Sequence, residues 1–101
     1  LKENREDISD AIERVKELKP IKFNWIKEPG ESKVDGFYAH ELSEVVPEAV
    51  TGEKDALDWE GNPEYQSIDQ AKIVPLLTAA LQQAIDKIEV LEVKIQILEN
   101  K

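Results

Sequence analysis

Residues 74–101 read VPLLTAALQQAIDKIEVLEVKIQILENK and carry an unbroken heptad pattern. Apolar residues follow one another there at spacings of 3, 4, 3, 4, 3, 4 and 3; they are Val74, Leu77, Leu81, Ala84, Ile88, Leu91, Ile95 and Leu98. On a helix this spacing places all of them on one narrow face, called the seam below, which a helix buries best against another helix. The seam predicts a coiled coil, and therefore an oligomer.

The charged residues of this segment agree with the same register. With Val74 at heptad position a, lysines fall at g and glutamates fall at the e positions five residues later. The pairs are Lys87 with Glu92 and Lys94 with Glu99. In a parallel coiled coil these are the side chains that meet between neighbouring helices.

The heptads by themselves leave the number of helices open. Isoleucine at a with leucine at d is typical of dimers. Further apolar residues widen the helix face beyond a two-stranded seam; they are Leu76, Ile85, Val90, Val93 and Ile97. We expect these to pack on the globular part of the same or a neighbouring chain, or to support a higher oligomer.

The length of the chain, 101 residues, predicts a single domain. We divide it into a globular head at residues 1–68 and a coiled-coil helix at residues 69–101. A head of this size buries roughly 60% of its unfolded surface and is marginal alone, so oligomerisation would supply the missing burial. The predicted fold class is α+β, with a small helix-plus-β-hairpin head followed by the long helix.

Composition argues against several classes of protein. The net charge of −9 argues against a nucleic-acid partner, which needs a basic patch, and against anionic membrane surfaces. The sequence contains neither a run of about 20 apolar residues nor a secretory signal at its start. The lack of cysteine excludes disulfides and thiolate metal sites, and a single histidine leaves little for other metal sites or a histidine-based triad. We therefore predict no cofactor and no metal.

The first half of the chain predicts a helix and a hairpin. Residues 4–19 follow the i, i+3, i+4, i+7 rule of an amphipathic helix, which Pro20 ends. Residues 21–26 alternate as a half-buried strand, residues 28–31 form a turn, and residues 36–39 read as the returning strand.

The second half predicts irregular structure before the long helix. Residues 40–46 read as a short helical or turn segment ending at Pro47, and residues 50–58 read as a polar loop. Ser67 or Asp69 is the predicted N-cap of the long helix. Pro75 predicts either a kink in that helix or a start later than Asp69.

Side chains with possible chemistry mostly favour a structural interpretation. The carboxylate pairs Glu41 with Glu44 and Glu48 with Glu53 read as solvated surface. His40 follows an apolar strand end and is better explained as a structural histidine than as a catalytic or ligand residue. The aromatic residues Trp25, Tyr38, Trp59 and Tyr65 lack a basic groove beside them, so core or interface packing is favoured over stacking on a base or sugar.

Five blocks of sequence, in order along nearly the whole chain, resemble a known family. They are LKEN at 1–4, LKPIKFNW at 18–25, GFYAHEL at 36–42 with VPEAV at 46–50, YQSID at 65–69, and IVPLLTAAL at 73–81. Together they resemble the C-terminal intramolecular chaperone domain of phage tail fibres and tailspikes, also called the S74 peptidase family.

The resemblance implies a homotrimer that acts on the fibre or tailspike chain preceding it in cis. Such a module holds three chains in register while they fold in the host cytoplasm, and it then releases itself from the fibre by autoproteolysis. The family's cleavage motif is Ser-Asp-x-Arg-hydrophobic-Lys, and Leu1-Lys2 matches its last two positions. The nucleophilic serine is expected upstream of Leu1, with Lys2 as its general base, and this chain alone should be inactive. His40 departs from the glutamine common at that place in the family.

A lysine acts as a base only in its neutral form. Glu3 and Glu6 favour the charged form of Lys2, so burial would have to outweigh them, and a neighbouring subunit is a source of that burial. We hypothesise that trimer assembly dehydrates Lys2 and so couples cleavage to folding. The alternative is that Lys2 is an ordinary solvated residue.

Two other interpretations stay open. One is a purely structural trimerisation module without proteolysis. The other is the related module of membrane-tethered eukaryotic transcription factors, which a transmembrane segment after Lys101 would favour. The exhausted heptads at residues 99–101 fit a fibre terminus better.

Overall fold

A computed structural model of the chain describes residues 1–26, 30 and 32–101. In chain order its elements are α1 (Ala11–Glu17), β1 (Ile21–Phe23), β2 (Val34–Gly36), α2 (Ala39–Leu42), β3 (Val50–Thr51), β4 (Ser67–Ile68) and α3 (Val74–Glu99), with 3₁₀ turns at Pro47–Ala49 and Gln70–Ile73. The predicted α+β head with a long C-terminal helix is confirmed. The chain separates into two compact units, residues 17–73 and residues 1–16 with 74–101, and each is described by itself.

The unit at residues 17–73 begins with the predicted hairpin. β1 and β2 pair antiparallel, with Ile21 opposite Gly36 and Phe23 opposite Val34. The returning strand was predicted at residues 36–39, but it occupies residues 34–36, so its position was wrong by two residues at its start. The predicted turn at residues 28–31 falls mostly outside the described residues.

Gly36 is the tightest point of this hairpin. It is buried, and a Cβ atom added to it would lie 2.6 Å from Cε1 of the Phe23 ring. The Phe23 ring also packs against Trp25 edge to face, with the two ring centroids 4.9 Å apart. The absence of a side chain at position 36 is therefore what lets Phe23 lie across the hairpin.

We expect Gly36→Ala to destabilise the head by about 1–3 kcal/mol, since the Phe23 ring would have to leave its position to admit a methyl group. Denaturant unfolding followed by tryptophan fluorescence measures the change. Gly30→Ala is the matched control, because a Cβ at position 30 meets nothing within 4 Å. Equal unfolding midpoints for the two variants would contradict the packing described here.

A short helical turn supplies most of the buried apolar side chains of this unit. α2 is continued by turns, with the Val46 amide donating to the Leu42 carbonyl at 2.9 Å, and Pro47 follows. The predicted helical or turn segment at residues 40–46 is confirmed. The buried apolar residues of the unit are Leu42, Val45, Val46, Ala49 and Ile73. So small a core agrees with the expectation that the head is marginal alone.

The second two-stranded sheet of this unit was not predicted. β3 pairs antiparallel with β4, Val50 lying opposite Ile68, so the predicted loop at residues 50–58 is wrong at its first two residues. Val and Thr favour strands, but two residues carry no visible alternation, and the partner strand lies far away in sequence. Asp58 organises the intervening loop, because its Oδ1 accepts hydrogen bonds from the amides of Glu60 and Asn62, both at 2.9 Å.

The helix predicted at residues 4–19 is present only at Ala11–Glu17, so the prediction was wrong at both ends. Asn4 has a φ of 55°, a left-handed conformation that a helix does not contain, and the Ile8 carbonyl accepts a hydrogen bond from Gln83 Nε2 at 2.9 Å. At the other end, the helix stops before Lys19 because the residue preceding a proline is pushed out of the helical region. Ile8, the one apolar residue at positions 4–10, thus lies before the helix and not within it.

The long helix α3 has 26 residues and would measure about 39 Å at 1.5 Å per residue. Asp69 caps the 3₁₀ turn before it, because Asp69 Oδ1 accepts the Ala71 amide at 3.1 Å. The capping side chain predicted at Asp69 is present, but it caps this 3₁₀ turn and not α3 itself, while Ser67 lies in β4. Pro75 occupies the first turn, where its missing N–H removes no helical hydrogen bond, so the predicted later start is also confirmed.

Candidate functional site

The seam of α3 is uncovered in the single chain. Apart from Ala84, which is half-buried, its residues are between 46% and 65% exposed. The only buried residues that the structure describes on this helix are Leu76 and Ala80, at heptad positions c and g. A continuous apolar face of this size is typical of an interaction site.

The chain's own N-terminal segment uses a different face of α3. The Ile8 carbonyl accepts a hydrogen bond from Gln83, at heptad position c. Residues 6–8 line a hollow with Ala79 and Asp86, both at position f, and of the seam residues Val74 also lines it. Positions c and f lie on the side of a helix away from a and d. Most of this packing within the unit therefore leaves the seam free.

The charged residues beside the seam are exposed and arranged as the heptads predict. Lys87 and Lys94 follow the seam on its g side, and Glu92 and Glu99 follow it on its e side, all on the regular part of α3. No ion pair that the structure describes within the single chain involves these four residues. They are available to a neighbouring helix.

The structure places Lys2 in an exposed segment. Residues 1–10 are all exposed and contain no helix or strand. Ser9 belongs to the same segment but follows Lys2 by seven residues, and Ser43 donates its hydroxyl to the His40 carbonyl at 2.9 Å. Nothing in the described residues pairs Lys2 with a nucleophile, so its catalytic role stays a prediction.

The remaining polar candidates occupy ordinary structural positions. His40 is half-buried and its ring stacks on Tyr38, with centroids 5.8 Å apart and planes at 23°. Glu41 forms an ion pair with Lys19 at 3.7 Å instead of facing Glu44. Glu48 and Glu53 are exposed. These positions favour the structural interpretation of His40 and the surface interpretation of the acids.

The aromatic residues do not pack in the core, so that half of the prediction is wrong for the single chain. Trp25, Tyr38, Trp59 and Tyr65 are all exposed, Trp59 at 92%. Two of them, Trp25 and Tyr38, line an apolar hollow of about 660 Å³ that also includes Ile68 of β4. The sequence carried no signal for this hollow, because it depends on bringing β4 beside the hairpin. Packing at an interface stays a prediction.

Two classes of site find no support in the geometry. In the described part of the chain, no helix combines the length and apolar character that crossing a bilayer requires. Among the same residues, no group of three or more His, Cys, Asp or Glu side chains is placed to hold a metal ion.

Fold and site together define a small α+β head joined to a long helix with an uncovered apolar seam. A family model, Peptidase S74, described as chaperone of endosialidase, matches residues 1–51, which include the hairpin and α2. The chain belongs to this family, and a chaperone role follows from that membership. A search of curated proteins finds no match.

Proposed function

We propose that this chain is an intramolecular chaperone that trimerises through the seam, holds three fibre or tailspike chains in register, and is released by autoproteolysis. Its partners are two further copies of itself and the chain that precedes it in cis. It acts in the host cytoplasm during virion assembly, without nucleic acid or membrane. The family membership supports the chaperone role, and the exposed seam is the observation that carries the assembly.

Burial of the seam supplies the driving force. Each Leu or Ile side chain contributes about 1.5–3 kcal/mol when fully buried. Seven apolar residues of the seam are between 46% and 65% exposed, so assembly gains roughly half of this value at each of them. Summed over three helices, the gain is comparable to the cost of association, which is on the order of 4–15 kcal/mol for each association step. An isolated α3 would also leave its apolar face in water, so assembly and helix stability support each other.

A trimer is favoured over a dimer by the width of the apolar face. Ile85, at heptad position e beside the seam, is 44% exposed and would extend the contact toward a third helix. The side-chain types at a and d lean toward a dimer, so the trimer rests on Ile85 and on the resemblance to trimeric fibre modules.

The charged pairs would make the assembly parallel and in register. A shift of one heptad would leave either Lys87 or Lys94 without its glutamate partner on the neighbouring helix. A parallel helix bundle of about 39 Å fixes three copies of α3 in one register. Three preceding chains would therefore start folding with equal register, which is what a template for an intertwined fibre requires.

For release, Lys2 would remove the proton from a serine hydroxyl upstream of Leu1, and the hydroxyl oxygen would attack the peptide bond before that serine. A lysine accepts a proton only in its neutral form, which burial favours, and Lys2 is exposed in the single chain. Assembly must therefore change that environment. The second candidate, a trimerisation module without proteolysis, is favoured by the exposure of Lys2.

The assembly is tested by sedimentation equilibrium of the chain over a range of concentrations. We expect a mass three times that of the 11.5 kDa chain at micromolar concentration. A folded monomer at these concentrations would overturn the proposal, and a dimer would overturn its trimeric form.

A further inference from the structure

A second uncovered apolar surface lies on the loop between β3 and β4. Its large apolar side chains are Leu57, Trp59 and Tyr65, which are 63%, 92% and 87% exposed. Leu57 lies opposite Pro63 in an antiparallel pair, so these two side chains share one face of the loop. We call residues 53–65 the tryptophan loop. Exposed apolar side chains grouped in this way are typical of a surface that meets another protein.

The turn that carries Trp59 is fixed by hydrogen bonds. The Asp58 amide donates to the Asn62 carbonyl at 2.8 Å, and the Gly61 amide donates to the Asp58 carbonyl at 3.0 Å. The side chain of Asp58 accepts two further bonds from amides of the same turn. A backbone that is ordered before binding loses little entropy on binding, and tryptophan is among the residues that dominate the energetics of protein interfaces. Trp59 is therefore presented as an anchor for a partner.

The same unit contains the apolar hollow beside the hairpin, which is open to receive such an anchor. The hollow has a volume of about 660 Å³, and its lining includes the exposed side chains of Trp25 and Tyr38. Sites of about 300–1,000 Å³ hold whole drug-sized molecules, so the hollow has room for one indole side chain. No described residue of the tryptophan loop lines the hollow, so the loop of the single chain does not fill it.

The charges of the two surfaces have opposite signs. The tryptophan loop contains five acids and one lysine, which give it a net charge of −4, whereas residues 19–38 contain four lysines and three acids, a net charge of +1. Among the described residues of the lining only Asp35 is charged, and Nζ of Lys22 lies 2.7 Å from its Oδ1. Lys22 and Lys33 are both exposed on the hairpin. In a chain with a net charge of −9, the hairpin is thus a suitable partner for the acidic loop.

We propose that the tryptophan loop of one chain docks into the hollow of a neighbouring copy, with Trp59 as its anchor. Each head then supplies one loop and receives another. A contact of this head-to-tail kind closes only in a ring, which the three-fold symmetry of the proposed trimer provides. The inference rests on the proposed trimer and goes beyond it, because it adds a contact between heads to the contact between helices.

The contact gives the exposed aromatic residues a common place. An aromatic side chain buries about 150–250 Å² when it is covered, and the head has few other large side chains to bury. Trp59 would be covered by the neighbouring hollow, and Trp25 and Tyr38 would be covered by the incoming loop. A head that is marginal alone would in this way be stabilised by its neighbours.

Disulfide trapping tests the contact, because the chain contains no cysteine of its own. Glu60→Cys, next to Trp59, is combined with Lys22→Cys beside the hollow. The control combines Glu60→Cys with Glu48→Cys, an exposed residue outside the described lining of the hollow. In glutathione buffer we expect the first pair to form interchain disulfides at least tenfold faster than the control, as seen on non-reducing gels. Equal rates would overturn the proposal, and so would an intrachain disulfide, which would show that the loop closes on the hollow of its own chain.

Trimer stability provides a second readout and separates this contact from the proposed function. Trp59→Ala should raise the concentration at which the trimer is half dissociated at least tenfold, as measured by sedimentation equilibrium. Ile97→Ala, which removes an exposed apolar side chain at heptad position c, should leave that concentration unchanged. A trimer that Trp59→Ala does not weaken would overturn the contact between heads and retain the assembly through the seam. A chain that sediments as a monomer would overturn both.

Discussion

We expect that replacing both Ile88 and Leu91 by aspartate converts the proposed trimer into a monomer. These residues occupy adjacent a and d positions in the middle of the seam, and each is 54% exposed in the single chain. In a trimer the double variant would place six carboxylates around one axis in the interior of the helix bundle, at a cost of several kcal/mol for each ion. Sedimentation velocity measures the loss of the trimer.

The matched control moves the same change to the other side of the helix. Val90→Asp with Val93→Asp introduces two aspartates at nearly the same exposure, at heptad positions c and f instead of the seam. We expect this control to remain a trimer, since positions c and f do not meet the neighbouring helices. Trimers from the Ile88 and Leu91 variant, or monomers from the control, would contradict the assignment of the seam.

We expect Lys2→Ala to abolish the proposed self-cleavage of a longer chain in which Ser-Asp-x-Arg precedes Leu1. Loss of a general base lowers the rate of a reaction about 10²- to 10⁴-fold. Lys2→Arg should fail as well, because a guanidinium stays protonated. Lys16→Ala, which removes another exposed lysine, is the control and should cleave at the unaltered rate. Release of the upstream fragment is followed by gel electrophoresis and mass spectrometry.

Cleavage assays on the same longer chain test the proposed assembly and the proposed proteolysis separately. If assembly provides the burial that Lys2 requires, the monomeric Ile88 and Leu91 variant should cleave at least a hundredfold more slowly. Cleavage of that monomer at the full rate would reject the coupling but retain the chemistry. An assembled chain that never cleaves would favour the purely structural trimerisation module.

The elements that were predicted correctly have local signals. The seam of α3, the hairpin of β1 and β2, and the cap at Asp69 each follow from spacing or from one side chain acting on its neighbours. Pro75 was informative for the same reason, because a proline constrains its own backbone and is common in the first turn of a helix.

The elements that were missed have partners far away in sequence. β3 exists because Val50 meets Ile68, and residues 4–10 are not helical because Ile8 binds Gln83. Burial of the aromatic residues could not be predicted for the same reason, since the residues next to Trp59 in sequence do not indicate that it is exposed. Two-residue strands and single side-chain hydrogen bonds produce no periodic pattern in the sequence.

For the candidate site, sequence alone identified the residues of the seam, their register and the resemblance of Leu1-Lys2 to a cleavage motif. Heptad spacing is sufficient for this because the regular geometry of an α-helix fixes which residues share a face. The tertiary structure alone decided that the N-terminal segment lies against the c and f face of α3 and leaves the seam uncovered. That choice depends on contacts between residues about 75 positions apart, and no local pattern encodes them.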